Sequence, residues 1–219
     1  GKKHPTDFAV WKFSPQDKNR DMEWDSPWGK GFPGWHLECS VIARTNLGDQ
    51  IHAHTGGIDH IPVHHTNEIA QTESVTGKQF SKFWLHNNHI KVNGTKMSKS
   101  LGNLYTIPDI LNKGYDIQAF KVLVLSKHYQ TEGNFTWEIL DAAQNRLKNW
   151  YMFADLTWQL PHDEQKDQSY AMNELMEAVG NNLDTPAALA EIDEYFNTLL
   201  QRGLSPSKRF LTFIDSLLG

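Results

Sequence analysis

At 219 residues, 39% of them hydrophobic and eight of them tryptophan, the chain has the length and apolar content for one large or two small globular domains. Its net charge of −5 excludes a general polyanion binder, but residues 161–200 hold nine acids against one lysine, a net −8 that leaves about +3 elsewhere, so a nucleic-acid partner is expected on the first two thirds. One cysteine excludes an intramolecular disulfide, and neither the N-terminal Gly1–Asp7 segment nor the longest aliphatic run, Val122–Leu125, has the apolar length of a secretory signal or a membrane span, so a cytoplasmic location with no membrane partner is expected.

Phe8 to Trp11 reads as a strand, followed by a long irregular segment punctuated by Ser14-Pro15, Ser26-Pro27 and Pro33-Gly34. Trp35 to Arg44 fits a helix with Leu37, Val41 and Ile42 on one side and Cys39 near its first turns. Gln50 to Ala53 reads as a short strand leading into a Gly-Gly turn, and His64 to Val75 as a helix stopped by Gly77. Phe80 to Leu85 and His89 to Val92 are strand pieces around Asn87-Asn88, and Asn93-Gly94 is a tight turn. Residues 1–103 therefore alternate strands and helices, which predicts an α/β layer structure.

From Ile107 the period becomes helical. Pro108 to Asn112 and Ile117 to Ser126 are short helices, and Thr136 can cap a long one in which Ile139, Ala143, Leu147, Trp150 and Ala154 recur every three or four residues. A polar break, Pro161 to Ser169, precedes a helix over Tyr170 to Val179. Thr185-Pro186 reads as an N-cap and first-turn pair opening a helix with Leu189, Ile192, Phe196 and Leu199 on one face. Ser205-Pro206 repeats the device before Phe210, Phe213, Ile214 and Leu217. These stripes read as packing surfaces.

The chemistry-bearing residues crowd into residues 54–68, which hold four of the eleven histidines, a Gly-Gly pair and two acids. His64 and Glu68 are four apart, so a helix sets them on one face, and Cys39 adds a soft thiolate from another element. Nitrogen, carboxylate oxygen and sulfur together suit Zn²⁺, although the same spacing also describes a buried cysteine beside an ordinary helix-surface pair. Three ligands leave one tetrahedral position without a candidate; His54, His60 and His65 are not counted. Gly56-Gly57-Ile58-Asp59 can let a backbone approach a nucleotide while an acid accepts ribose hydroxyls. Lys96-Met97-Ser98-Lys99-Ser100, between Asn93-Gly94 and Gly102-Asn103, can fold over a polyphosphate and neutralise a departing leaving group.

Four runs occur in one order at tight spacing: Gly34-Trp35-His36-Leu37-Glu38-Cys39-Ser40, His54-Thr55-Gly56-Gly57-Ile58-Asp59, His64-His65-Thr66-Asn67-Glu68-Ile69-Ala70-Gln71 and Lys96-Met97-Ser98-Lys99-Ser100-Leu101-Gly102-Asn103. The set resembles the cysteinyl-tRNA synthetases, class I aminoacyl-tRNA synthetases. Trp24-Asp25-Ser26-Pro27-Trp28-Gly29, Leu125-Ser126-Lys127-His128-Tyr129 and Asn182-Leu183-Asp184-Thr185-Pro186-Ala187-Ala188-Leu189 extend the resemblance over nearly the whole chain. It implies the second half of a Rossmann-type catalytic domain over 1–106, a helical stem-contact region over 107–158 and the start of a helical tRNA-binding bundle over 159–219. It also implies that Cys39, His64 and Glu68 are three of four zinc ligands and that Trp35 lines the amino-acid pocket. Gly57 and Asp59 then hold the adenosine ribose, and Lys99, with Lys96 beside it, acts on the phosphates of ATP with its Mg²⁺. The implied substrates and partners are L-cysteine, ATP and tRNA(Cys).

The departures matter too. The family's first half carries a His-x-Gly-His motif and a first zinc cysteine, and neither occurs here. His60, Pro62, Val63 and Thr66 stand where leucine, phenylalanine, proline and glutamate are usual, none of them a ligand position. The expectation is a fragment, or half of a split enzyme whose companion chain supplies the rest. Its half-sheet should expose an edge and an apolar face, and the fragment alone should bind zinc weakly and form no adenylate. Two further readings stay open: a cysteine ligase of thiol biosynthesis, joining cysteine to an amino-sugar, and a non-catalytic synthetase-like module that binds tRNA or a protein.

Overall fold

Residues 2–5, 7–17, 20–162 and 165–219 are described by the computed structural model, side chains of 165–167 excepted. Their backbone divides into two units, Gly1–Asn87 and Asn88–Gly219. No helix among the described residues is long and apolar enough to cross a membrane.

In the first unit, β1 (Trp11–Phe13) pairs antiparallel with β2 (Gly31–Pro33). The strand expected at Phe8 to Trp11 thus starts at its last residue, and its partner comes from the stretch read as irregular. Next, α1 (Trp35–Leu47) leads to β3 (Ile51–Gly57). A 3₁₀ turn at Ile58–His60 and a π-helical turn at Ile61–His65 then enter α2 (Thr66–Thr76). Pro62, whose ring fixes a helical φ and whose missing N–H is not needed in a first turn, starts this compound helix. Gly77, left-handed at φ 65°, ends it. The chain returns along β4 (Ser81–Asn87), parallel to β3 in register from Ile51↔Ser81 to Gly57↔Asn87.

Gly56 and Gly57 therefore belong to a strand, not to a turn after Ala53. The polar run His54-Thr55-Gly56-Gly57 has weak strand propensity, and pairing with β4 overrides it. On α1 the apolar side, Val41 and Ile42, faces solvent, whereas His36 and Ser40 are buried. The unit buries only two large hydrophobic side chains among its described residues, Ile51 and Phe80, beside the polar His36, Ser40, His64, His65, Glu68, Thr72 and Ser81. Its interior is built of hydrogen-bonding groups.

The second unit opens with β5 (Ile90–Val92), parallel to β6 (Gly133–Phe135). At Asn93-Gly94 both residues have positive φ, 50° and 71°, and Val92 and Thr95 exchange both backbone hydrogen bonds, as a two-residue hairpin turn requires. The helices are α3 (Ile107–Asn112), α4 (Ile117–Leu125), α5 (Trp137–Asp155), α6 (Gln165–Gly180), α7 (Thr185–Gln201) and α8 (Lys208–Leu218). They surround a core of Leu140, Leu147, Leu175, Leu189, Ile192, Phe196, Leu199 and Phe210.

Several helix details differ from expectation. The buried stripe of α5 starts at Leu140, 0% exposed, rather than at Ile139, 40% exposed, because the helix turns the neighbouring residue inward. The helix α6 begins at Gln165, inside the expected polar break; of that break, Asp163 and Glu164 lie outside the described residues. Asp184, not Thr185, caps α7, its carboxylate accepting from the Ala187 N–H. Ser207 caps α8, while Ser205 is buried and bonds His162.

Candidate functional site

Cys39 sits on α1, His64 on the π-helical turn and Glu68 in the first turn of α2. The two helices pack together, tied by Ser40 Oγ donating to Gln71 Oε1 at 2.9 Å. Their ligand atoms, thiol sulfur, imidazole nitrogen and carboxylate oxygen, all lie within 4.8 Å of one another. Glu68 is fully buried, and its Oε1 has no hydrogen-bond partner among the described residues. A buried carboxylate oxygen without a partner costs free energy unless something cationic or protic meets it. A cation bound through that oxygen would meet it.

Histidines surround this carboxylate. Glu68 Oε2 lies 2.9 Å from His54 Nε2, 3.5 Å from His64 Nε2 and 3.8 Å from His65 Nε2. His64 meets His36 through Nδ1 at 2.8 Å, and His65 Nδ1 meets His86 Nε2 at 2.7 Å. Burial lowers the pKa of His36, His64 and His86 below the usual histidine range and pushes His65 down to about 4, so the rings are neutral near pH 7, as metal ligands must be. Burial also raises the Cys39 thiol, with Glu68 and Glu38 adding to it against a hydrogen bond from Trp35.

Trp35, 56% exposed, lays its ring 4.3 Å from that of His64 and 5.8 Å from that of His60, walling one side of the cluster. The two glycines admit close neighbours. A Cβ on Gly56 would stand 2.6 Å from His65 Cε1 and 2.8 Å from His60 Nδ1, and one on Gly57 would stand 2.3 Å from Asp59 Oδ1. Asp59 thus folds back over the end of β3.

The lysine-serine loop lies in the second unit. Ser98 caps a 3₁₀ turn, Lys99–Leu101, by accepting from the Leu101 N–H, and Gly102 closes it at φ 65°. Asn103 pins the loop with one side chain: its Oδ1 accepts from Ser98 N–H, and its Nδ2 donates to Thr95 Oγ1 and Lys96 O. Met97 packs against the helical core, while Lys96 and Lys99 are exposed.

Residues 1–145 match the family model of the tRNA synthetases class I (C) catalytic domain. The chain belongs to that family. Similar curated proteins include the cysteine–tRNA ligase of Treponema denticola, 38% identical over 100% of this chain and 49% of that protein. Cysteine–tRNA ligase 1 of Burkholderia lata is 43% identical over 100% of this chain and 46% of its own length, and the cysteine–tRNA ligase of Zymomonas mobilis is 51% identical over 68% and 29%. The chain spans about half the length of the curated relatives it matches. Among solved structures, the agnB2 LeuRS of Agrobacterium radiobacter K84, in a ternary complex with tRNA and LeuAMS, matches with a TM-score of 0.59 at 16% identity. That match covers 83% of this chain and 30% of the other, a likeness of fold.

Residues set aside in the sequence return here. His54, His65 and Glu68 form a second group of three donors within 4.8 Å. His36 and His86 carried no ligand signal in the sequence. Their contacts bridge 28 and 21 residues, across which no helical or strand period connects them.

Proposed function

We propose that this chain is part of a cysteine–tRNA ligase, which activates cysteine with ATP and transfers it to tRNA(Cys). The observation that carries the reading is the convergence of donor atoms of Cys39, His64 and the buried Glu68 within 4.8 Å of one another. A sulfur, a nitrogen and an oxygen donor suit Zn²⁺. When bound, zinc supplies a soft acceptor for the thiolate of cysteine, which the hydroxyl of serine does not match. Trp35, beside His64, walls the amino-acid pocket. Asp59, held against Gly57, accepts hydroxyl protons of the adenosine ribose.

The exposed Lys96 and Lys99 are assigned to the ATP phosphates, with Mg²⁺ accompanying the nucleotide. Attack of the cysteine carboxylate on the α-phosphorus forms cysteinyl-adenylate and expels pyrophosphate, whose charge the lysines neutralise. The terminal ribose hydroxyl of tRNA then attacks the adenylate carbonyl, and AMP leaves. No protein nucleophile is needed; positioning and charge carry the rate. The division into a half-Rossmann catalytic part (1–106), a stem-contact region (107–158) and the start of a helical tRNA-binding bundle (159–219) goes with this reading. So does a companion segment or chain completing the catalytic half.

The cobalt-loaded chain provides the test. L-cysteine should intensify its sulfur-to-metal charge-transfer absorption, L-serine should leave it unchanged, and Cys39→Ala should remove the chain's own thiolate band. A chain that takes up no cobalt or zinc, or that responds equally to serine, overturns the reading.

A further inference from the structure

We propose that His54 is a positioning residue for the metal centre: it holds one oxygen of Glu68 so that the other is left for the ion. The inference rests on the reading of Cys39, His64 and Glu68 as zinc ligands. An ionised carboxylate only accepts hydrogen bonds, so across the 2.9 Å contact the Nε2–H of His54 donates to Glu68 Oε2. The other oxygen, Oε1, is buried and has no hydrogen-bond partner among the described residues. The two carboxylate atoms are thus unequal before any ion arrives.

The donor stands on the sheet rather than on the helix that carries Glu68. His54 stands on β3, paired with Trp84 of β4, and its ring is wedged by Trp84 at 4.9 Å, His65 at 4.7 Å and Phe80 at 5.5 Å. The sheet therefore fixes the direction from which Oε2 is held. Without that donor, the approaches of His64 and His65 to Oε2, at 3.5 Å and 3.8 Å, are longer and resist rotation less. Outer hydrogen bonds of this kind orient metal ligands, and losing one typically lowers metal affinity roughly 10- to 100-fold.

The same atoms permit a different arrangement, since His54, His65 and Glu68 also lie within 4.8 Å of one another and can be drawn as a second ion site sharing Glu68. The 2.9 Å hydrogen bond favours the positioning role, because it occupies the His54 nitrogen that such an ion would need.

The experiment is a zinc titration of the whole chain against a chromophoric chelator, with the cobalt spectrum recorded in parallel. His54→Phe keeps the ring packing and removes the donor; His54→Gln restores an N–H near the Nε2 position. Expected are one ion per chain in every case, an affinity about 10- to 100-fold lower for His54→Phe, and recovery of most of it in His54→Gln. The cobalt thiolate band persists throughout, while the d–d bands shift in His54→Phe only. Unchanged affinity in a folded His54→Phe, or no recovery in His54→Gln, overturns the proposal. So do two ions in the wild type with one lost on His54→Phe, which would make His54 a ligand. A wild-type chain that binds no ion, or whose affinity Cys39→Ala leaves unchanged, overturns the metal-centre reading itself, and this proposal with it.

Discussion

Neighbouring glycines on β3 separate two kinds of constraint. At Gly56 a methyl group would meet the rings of His65 and His60 at 2.6–2.9 Å, and His65 is buried and held by His86. Gly56→Ala is therefore expected to overpack the cluster and cost about 1–3 kcal/mol, read as a lower denaturant midpoint. At Gly57 the obstacle is the end of the exposed Asp59 side chain rather than a buried ring. Gly57→Ala should leave the midpoint within about 0.5 kcal/mol of the wild type yet weaken ATP binding by calorimetry, because Asp59 is displaced. The trio of candidate ligands was legible in the sequence as residue types and as the four-residue offset of His64 and Glu68. Cys39 was joined to them by its chemistry and by the family resemblance, not by spacing, since the packing of α1 on α2 is what closes those 25 positions. The hydrogen bond of His54 was hidden for a related reason: strand pairing, not local spacing, sets where its ring stands.

Helix ends and loops carry the next scale. Asp184 offers its carboxylate to the Ala187 N–H, so Asp184→Ala should lower stability by about 1 kcal/mol, while Asp184→Asn, an equally good cap, should change it little. Either result is read from urea unfolding. The sequence places the cap at Thr185, one residue late, because Asp and Thr are both good caps and stand side by side. Thr185 instead donates to the Leu125 carbonyl. The stripe of α7 was legible throughout, because Leu189, Ile192, Phe196 and Leu199 all face inward. In α5 two adjacent aliphatic residues, Ile139 and Leu140, left the phase ambiguous by one position. The lysine-serine loop depends on one side chain, so Asn103→Ala should abolish amide-exchange protection at Ser98 without altering protection in α5 or α7.

The two units of the molecule hold together by different means. Residues 88–219 contain the apolar cluster, whereas 1–87 bury histidines, hydroxyls and a carboxylate around two hydrophobic side chains, Ile51 and Phe80. An ion bound to the folded form alone stabilises it by mass action, so zinc should slow hydrogen exchange in α1, α2 and β3 and leave α5 to α8 unchanged. Equal slowing in both units would contradict that division. The sheet of the first unit adds a consequence for handling the protein. Among the described residues β3 and β4 pair only with each other, so each strand leaves one side of its backbone ladder unpaired, and Phe83 on β4 is exposed. Parallel strands ordinarily lie inside larger sheets, and an open, partly apolar edge can recruit another strand. Concentrated solutions of the isolated chain are therefore expected to scatter light increasingly with time, and a charged residue at Phe83, as in Phe83→Lys, should delay the onset.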